Sequence, residues 1–582
     1  MGSNSEEQKQ FSTNPKIEKH REMILEAKKK GGLATFGVFA RLSGPGWLQS
    51  AITIGGGSLS SSLYLGILVG FTFMWLQPLA MILGVVMLSA IAYVTLSTGQ
   101  RPLRAINEHV SPVLGWGWLI ASMMANIVWS MPQFNLATAA IQQNLFSGVF
   151  GVEAMPDPWG KIVVGLMILA ASLTMVMFYI QGSWGVKVFE VIVKLLVGSI
   201  VIGFFGVVVK LTLDNNLDWG KIWGGFIPNL ELLMKPVEEL RPFIAAVNEN
   251  CQSFWNDMIV MDQRDVMISA AATAVGINMT FLLPYSMLRK GWDKDFRGLA
   301  IFDLSTGLFI PFILATGCVV IAATSQFHAK PAPGLVKEDM VEGKQVAVDP
   351  EIAARYKLLM EKRMQFEMSV SEIEAYKQLP QEEKDKKIEA MPLSDRRMAS
   401  MVVKRDAFNL ADSLAPLTGG KGISRYIFGF GILGMGLNAA TMLMLINGLC
   451  FCELLNKPAK GWTQRIGSLM VSVGILGPFF WTGAKMWIAV PTSVFAMTLL
   501  PVAYFSFFFL MNQKKFLGDN LPRGGKRHLW NILMAIAALM AAFVSIWSLW
   551  AKLQWLGIGI MVAFIALCLI VHMVRSGRKA AN

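Results

Sequence analysis

Apolar runs of about 20 residues recur along most of the chain, and they limit the folds that it can adopt. A helix of this length crosses about 30 Å of hydrocarbon. Of the 582 residues, 54% are hydrophobic and only 16% are charged, which excludes a soluble enzyme. The pattern predicts an all-α polytopic membrane protein with about twelve spans, near residues 44–70, 75–97, 114–147, 161–181, 187–210, 266–288, 301–324, 425–455, 465–484, 486–511, 529–550 and 554–574.

Basic residues mark one set of loops. With twelve spans, clusters such as Lys28–Lys30, Arg289–Arg297 and Lys514–Arg527 fall on the same side as both termini, whereas the opposite loops carry isolated lysines such as Lys161. Because basic residues accumulate on the cytoplasmic side, we expect both termini in the cytoplasm and the protein in a plasma membrane or bacterial inner membrane. The net charge of +13 has the same explanation, and nucleic acid is not an expected partner.

The spans divide the chain into segments. We expect a cytoplasmic N-terminal segment 1–43, a first repeat 44–210 (spans one to five), an extracytoplasmic loop 211–265, a second repeat 266–511 (spans six to ten) with an extracytoplasmic helical insertion 325–424, and a segment 512–582 with a cytoplasmic loop, spans eleven and twelve and the C-terminal tail. Within the insertion, mixed spacings of three and four between apolar residues predict an amphipathic helical hairpin over 349–387. A solvated cap without chemistry is the simpler interpretation of this insertion.

Motifs for catalysis and cofactors are missing from the sequence. The five cysteines form no CxxC pair and no Cys/His cluster of zinc spacing, so neither a disulfide scaffold nor a structural metal is indicated, and we expect no cofactor. No nucleophile and base pair, phosphate loop or HExxH motif occurs, so we expect no enzyme. An enzyme or receptor that has lost transport is a third functional class to test. The oligomeric state leaves no pattern in the sequence.

Three successive glycines interrupt the first span. Gly55, Gly56 and Gly57, followed by Ser58, begin about eleven residues into the span, which puts them near mid-membrane. Each glycine costs a helix about 1 kcal/mol relative to alanine, so the run predicts a break. A helix broken at that depth exposes carbonyls and amides, from which transporters build ion and solute sites. Close helix packing is the alternative, although three adjacent glycines do not form one helical face.

The sixth span contains a second candidate break. Gly276, Asn278, Thr280 and Pro284 lie in an otherwise apolar run, and the proline should free the carbonyls near Met279 and Thr280. A plain proline kink would explain Pro284 alone. Breaks in spans one and six, five spans apart, are typical of a five-plus-five inverted repeat.

Four stretches carry a family resemblance. They are Gly44-Pro-Gly-Trp-Leu-Gln-Ser at the first span, Trp184-Gly-Val-Lys-Val-Phe-Glu190 at the fifth, and Pro501-Val-Ala-Tyr-Phe with Asn512-Gln-Lys-Lys-Phe-Leu-Gly518 at the tenth span and its exit loop. These stretches resemble the Nramp family of proton-coupled divalent-metal transporters. The resemblance implies the leucine-transporter-like fold with broken helices one and six, and secondary transport of a divalent cation.

The residues that hold the metal in that family are replaced here. Gly55 and Ser58 stand where the family has Asp and Asn. Asn278, Met279 and Thr280 take the places of its Met, Pro and His, which puts the sulfur ligand and the histidine in doubt. Met131 and Phe134 align with its paired Asp and Glu. The acidic residues nearest the membrane are predicted at span ends, solvated or paired: Glu190, Asp262, Asp265 and Asp303.

The predicted centre of the membrane part is therefore neutral and polar. The candidate substrate-binding residues are Thr53, Gly55, Gly56, Gly57, Ser58, Gln133, Val275, Asn278, Thr280 and Asn438, with Ser58 and Asn278 the candidates to hold a metal, if one is bound. Such residues could also join helices by hydrogen bonds worth about 1 kcal/mol. Two substrates fit them: a partly hydrated cation held by freed carbonyls near Ile54, Val275 and Gly276, or a small polar or zwitterionic organic solute without metal coordination.

Overall fold

The computed structural model describes residues 15–180, 183–336, 350–415, 420–480 and 489–581, and within these ranges the regular structure is helical, with no strand. The helices before the sixth span are α1 (Pro15–Lys30), α2 (Gly32–Leu42), α3 (Pro45–Thr53), α4 (Gly56–Val69), α5 (Leu76–Thr98), α6 (Pro102–His109), α7 (Pro112–Ala139), α8 (Trp159–Ile180), α9 (Ser183–Leu213) and α10 (Trp219–Gly224).

The second half of the chain is also helical. Its helices are α11 (Glu249–Ala272), α12 (Ile277–Arg289), α13 (Arg297–Leu304), α14 (Ile310–Phe327), α15 (Pro350–Gln365), α16 (Val370–Gln378), α17 (Gln381–Glu389), α18 (Leu393–Val402), α19 (Ala407–Ser413), α20 (Lys421–Leu454), α21 (Gly461–Leu469), α22 (Ala489–Met511) and α23 (Gly525–Ala581). Single helical turns join them, and two π-helical segments, Ala140–Leu145 and Ser305–Phe309, continue α7 and α13.

Local sequence explains where several helices begin and end. Pro45, Pro102 and Pro112 each occupy the first turn of a helix, where the missing amide of proline costs no hydrogen bond. Gly99 ends α5 in the left-handed conformation, with φ of 66°, and its N–H donates to the Thr95 carbonyl. These signals place the ends of the long apolar helices close to the predicted span limits.

Ten helical segments in the described ranges are long and apolar enough to cross a membrane. One of them, within α23, contains the non-helical residue Gln554 (φ 47°, ψ −130°), which separates the predicted spans eleven and twelve. The predicted ninth span corresponds to α21 with the turns Met470–Leu476 and Gly477–Phe480; its last residues, 481–484, and the first of the tenth span, 486–488, lie outside the described residues. The sixth span differs from its prediction, since α11 starts at Glu249 inside the predicted loop 211–265.

The long helices α7 and α20 pack side by side at the centre; α4 contacts both, and α3 contacts α20. Close approaches depend on small residues: a Cβ atom at Gly66 of α4 would lie 2.7 Å from the Val320 carbonyl oxygen of α14. α23 packs on α22 at the periphery, and its outer face is exposed, with Leu539 61% accessible. The two interrupted spans therefore lie inside the bundle, shielded by the later helices.

The described part of the insertion, residues 350–415, contains the five helices α15 to α19 instead of the predicted hairpin. A buried ion pair joins two helices of the insertion: Arg363 Nε of α15 lies 2.8 Å from Asp395 Oδ1 of α18, and both side chains are at most 1% exposed. The indole of Trp255, on α11, donates to the same carboxylate oxygen at 2.7 Å. The insertion is thus fixed to α11, the first half of the sixth span.

Candidate functional site

The first span is interrupted in mid-course, as the glycine run predicts. α3 ends at Thr53, Ile54 and Gly55 are non-helical, and α4 begins at Gly56. The Gly55 N–H donates to Ser58 Oγ at 3.1 Å and the Gly56 N–H to Gln133 Oε1 at 2.9 Å. Side-chain oxygens therefore accept from the amides of Gly55 and Gly56 at the start of α4. In a continuous helix these amides would donate to carbonyls four residues back.

The sixth span is interrupted at Thr273–Gly276, between α11 and α12. Pro284 lies inside the continuous helix α12, so it leaves the Thr280 carbonyl without its usual donor but does not interrupt the helix near Met279 and Thr280. Its missing amide removes one hydrogen bond from a helix whose other turns are complete. The break occurs where Trp129 packs on the chain: a Cβ at Gly276 would lie 2.6 Å from that indole ring.

The two breaks meet at the sulfur of Met279. Thr53 Oγ1 donates to Met279 Sδ at 3.2 Å, and the Gly276 N–H points to the same sulfur at 3.4 Å. Alignment with the family suggested that the soft ligand was lost, but a thioether does lie between the breaks, supplied by the residue after Asn278. The sequence did not predict that the Met279 side chain would lie between the two breaks. Met279 is the third residue of α12, from which a side chain turns back towards the Gly276 amide.

One face of α7 contacts both breaks. Trp118 Nε1 donates to Thr280 Oγ1 at 2.9 Å, Trp129 packs on Gly276, and Gln133 accepts from Gly56. These three residues follow one another at helical spacing, so α7 positions the two interrupted spans relative to each other. Gln133 is 5% exposed.

Two of the remaining predicted residues, Gly57 and Asn438, lie near the first break. Gly57 lies near the break, where a Cβ would be 3.2 Å from Thr273 and 3.5 Å from Ser493 Oγ. Asn438 is fully buried on α20 beside Ala439, whose Cβ would be 2.9 Å from a Cβ at Gly55.

Three predicted residues are engaged in structural contacts. The Val275 side chain packs against Gly84 of α5, which leaves only its backbone to face a substrate. The hydroxyl of Ser58 bonds to the Gly55 backbone, and that of Thr280 accepts from the Trp118 indole.

Four buried amide side chains near these elements have one or both polar atoms without a hydrogen-bond partner. Gln49, Asn126 and Asn438 are fully buried with both side-chain polar atoms unpaired, and Asn278 is buried with its Nδ2 unpaired. Gln49 lies one turn before Thr53 on α3, and Asn126 lies on α7 between Trp118 and Gln133. A buried amide without a partner costs about 1 to 3 kcal/mol, so these groups are suited to a polar occupant or to water.

No carboxylate lies at the breaks in the described residues, and these contain no group of three or more His, Cys, Asp or Glu side chains that could hold a metal ion. Asp303 is the deepest of the predicted acidic residues and is 1% exposed, not solvated. It accepts from the amides of Gly44 and Gly46 at 3.1 and 2.6 Å, and from the Ser43 hydroxyl. Asp303 therefore caps the start of α3, a full helix length from the break.

The other predicted acidic residues are paired. Glu190 lies 2.8 Å from Lys290, Asp262 lies 3.4 Å from Lys404, and Asp265 lies 2.6 Å from Lys552. The predicted neighbours Lys187 and Lys194 are not these partners.

Two interrupted spans crossing inside a helical bundle define a membrane transporter of the leucine-transporter-like fold. The profile of the Natural resistance-associated macrophage protein-like (Nramp) family matches residues 46–348 and 397–551. The chain therefore belongs to the Nramp family.

Individual relatives are distant. The metal transporter Nramp2 of Populus trichocarpa is 24% identical over 162 residues, which are 28% of this chain and only 28% of the relative. Among solved structures, a variant of the manganese transporter of Eremococcus coleocola aligns with a TM-score of 0.60 at 14% identity, over 93% of this chain and 96% of that one. The same transporter with an aromatic bis-isothiourea compound gives 0.59 at 13% identity and the same coverage. These structures have the same fold as this chain.

Proposed function

We propose that this protein is a secondary transporter that moves a divalent metal ion by alternating access around the two breaks. The contact of Met279 Sδ with Thr53 Oγ1 supports the proposal, since it places a thioether where both interrupted spans meet. The relatives described as metal and manganese transporters support the choice of a metal ion.

The neutral donors determine how the ion is held. Amide and carbonyl oxygens near Gln133 and Ile54 suit hard ions such as Mn²⁺, and the sulfur of Met279 adds a softer donor. No carboxylate of the described centre compensates for the loss of water, so the ion keeps part of its hydration shell. We expect weak binding, with a Kd of about 1 mM, as at other sites with little ligand charge.

The test combines binding and flux. Isothermal titration of the purified protein with Mn²⁺ and Mg²⁺ should give saturable binding, and proteoliposomes should accumulate the ion. The Met279→Leu variant should weaken binding, whereas Met470→Leu, at an exposed methionine away from the breaks, should not. Absence of metal binding at millimolar concentrations would refute the proposal. Binding without flux would instead favour a receptor.

A small polar or zwitterionic organic solute is the second candidate. The unpaired amides of Gln49, Asn126, Asn278 and Asn438 favour it, because hydrogen-bonding solutes match such groups better than a bare ion does. The positive end of the α4 helix dipole would attract the carboxylate of such a solute. Titration with a panel of amino acids distinguishes this candidate, since it requires solute binding that is independent of metal.

We also propose that both termini are cytoplasmic and that the repeats and loops divide as the sequence predicts, except that the sixth span starts at Glu249. The insertion 350–415 would then lie outside. Reporter fusions at the C-terminus and within the insertion test this orientation, because the two should report opposite sides. Identical labelling of both would overturn it.

A further inference from the structure

A cavity of about 600 Å³ lies between α11, α22 and α23, away from the helix breaks. Its walls include Asp257, Arg264 and Asp265 of α11 and Lys552 of α23. The start of α11 contacts the insertion through Trp255, so the cavity lies on the insertion side of the membrane.

The depth of the cavity follows from the break in the sixth span. If Thr273 is near the bilayer midplane, helical rise places Asp265 about 12 Å and Asp257 about 24 Å above it. The hydrocarbon half-thickness is about 15 Å, and the headgroup region continues to about 22 Å. The charged walls of the cavity therefore extend from the edge of the hydrocarbon, through the headgroup layer, to just beyond it.

Both signs of charge line this cavity. Arg264 donates its Nε to the Leu233 carbonyl at 2.6 Å and its Nη2 to Met234 Sδ at 3.4 Å, which leaves Nη1 for a ligand. The guanidinium also lies 5.5 Å from the Trp547 ring centroid. Lys552 lies 2.6 Å from Asp265. Asp257 is exposed and has no ion-pair partner among the residues that the structure describes. Arg264 and Lys552, together with the unpaired carboxylate of Asp257, match a group that carries both a phosphate and an amine; a third cation, Lys235, also lines the cavity and is paired with Glu231.

The deeper wall is apolar. Ile268 and Val494 line the cavity below Arg264, and Met261 beside it is 53% exposed. One turn from Trp547 towards the membrane centre, Phe543 is 54% exposed. A ligand that is charged at one end and apolar at the other fits this gradient, and at this depth the bilayer supplies such molecules.

We propose that the cavity binds the headgroup of a phospholipid with a primary amine, taken from the leaflet on the insertion side. The phosphate contacts Arg264 and Lys552, the ammonium group contacts Asp257, and the acyl chains follow Phe543 and Met261 into the bilayer. Because one wall is the outer half of the interrupted sixth span, the bound lipid restrains that half-helix. This site is separate from the proposed transport site, and its test does not depend on flux.

The experiment is native mass spectrometry of the full-length protein titrated with phosphatidylethanolamine, phosphatidylcholine and phosphatidylglycerol. Wild type should bind phosphatidylethanolamine at least about tenfold more tightly than the other two, since choline donates no hydrogen bond and glycerol carries no positive charge. Arg264→Gln should lower binding of every phospholipid about tenfold. Asp257→Asn, at an exposed and unpaired position, should lower only phosphatidylethanolamine binding and leave folding intact.

Lys210→Gln is the matched control, because Lys210 forms a similar ion pair with Asp214 at the same end of the bundle, on α9. It should leave lipid binding unchanged. Equal lipid binding by wild type, Asp257→Asn and Arg264→Gln would overturn the proposal. Competition by soluble O-phosphoethanolamine at the same concentration as the lipid would also overturn it, since the ligand would then be a soluble solute.

Discussion

Replacing Gln133 by Glu is the most informative single change at the candidate site. The substitution preserves shape and places a negative charge where Oε1 now accepts from the Gly56 N–H at 2.9 Å. The start of α4 carries the positive end of the helix dipole, which stabilises a carboxylate at this position. The variant therefore supplies the charge that the neutral centre lacks, without displacing the interrupted helices.

The size of the effect follows from Coulomb's law. A carboxylate about 5 Å from a doubly charged ion attracts it by about 7 kcal/mol at an effective dielectric constant of about 20. Loss of water from the carboxylate and the ion offsets several kcal/mol of this attraction. A net gain of about 1.4 to 2.8 kcal/mol remains, which tightens the Kd for Mn²⁺ about 10- to 100-fold.

The assay is isothermal titration with Mn²⁺ at two pH values. Gln133→Glu should bind the ion more tightly at neutral pH and lose the gain at acidic pH, as its carboxyl group becomes protonated. Gln142→Glu adds the same charge in the π-helical segment that continues α7, about 14 Å further along by helical rise, and should tighten the Kd much less than Gln133→Glu does. Equal gains in both variants, or none in either, would refute a cation site at the breaks. If amino-acid binding falls instead, the substrate carries its own carboxylate.

Three further substitutions test individual contacts. Gly55→Asp should fail to improve metal binding alone, because its Cβ would lie 2.9 Å from that of Ala439, whereas Gly55→Asp with Ala439→Gly should bind Mn²⁺ at least about tenfold more tightly in a titration. Met279→Leu keeps the volume and removes the sulfur, so Mn²⁺ affinity should fall about fivefold while the midpoint of thermal unfolding stays within about 4 °C; a larger loss of stability would indicate a packing role. Asp303→Asn removes the charge that caps α3, and thermal unfolding should show a loss of about 1 to 3 kcal/mol; unchanged stability would contradict the capping role.

The position of the first break could be predicted from sequence because its cause is local. Consecutive glycines weaken a helix wherever they occur, and the chain does leave the helix at Ile54 and Gly55. The sixth span shows the limit of this reasoning. Pro284 is the stronger local signal, yet the helix breaks near Gly276, where a tryptophan from another helix occupies the space of a side chain. That contact is tertiary, and within the sixth span its only sequence signal is the single glycine at Gly276.

The partners of the buried polar groups could not be predicted for the same reason. Gln133 bonds to an amide 77 residues away, and Asp303 to amides more than 250 residues away. Alignment with the family compares residue types position by position, so it indicated the replacement of the sulfur ligand. The first turn of α12 directs Met279 back towards its own Gly276 amide, which only the structure reveals.

A neutral centre has an energetic consequence for the proposed transport. In a site with two carboxylates, a divalent ion crosses as part of a nearly neutral complex, and the membrane potential does little work on it. At these breaks the described side chains bear no formal charge, so a bound divalent ion carries its full charge through the field. Each elementary charge gains about 2.3 kcal/mol per 100 mV, which doubles for a divalent ion. The membrane potential alone could therefore accumulate the ion, which removes the need for a titratable proton carrier beside the substrate.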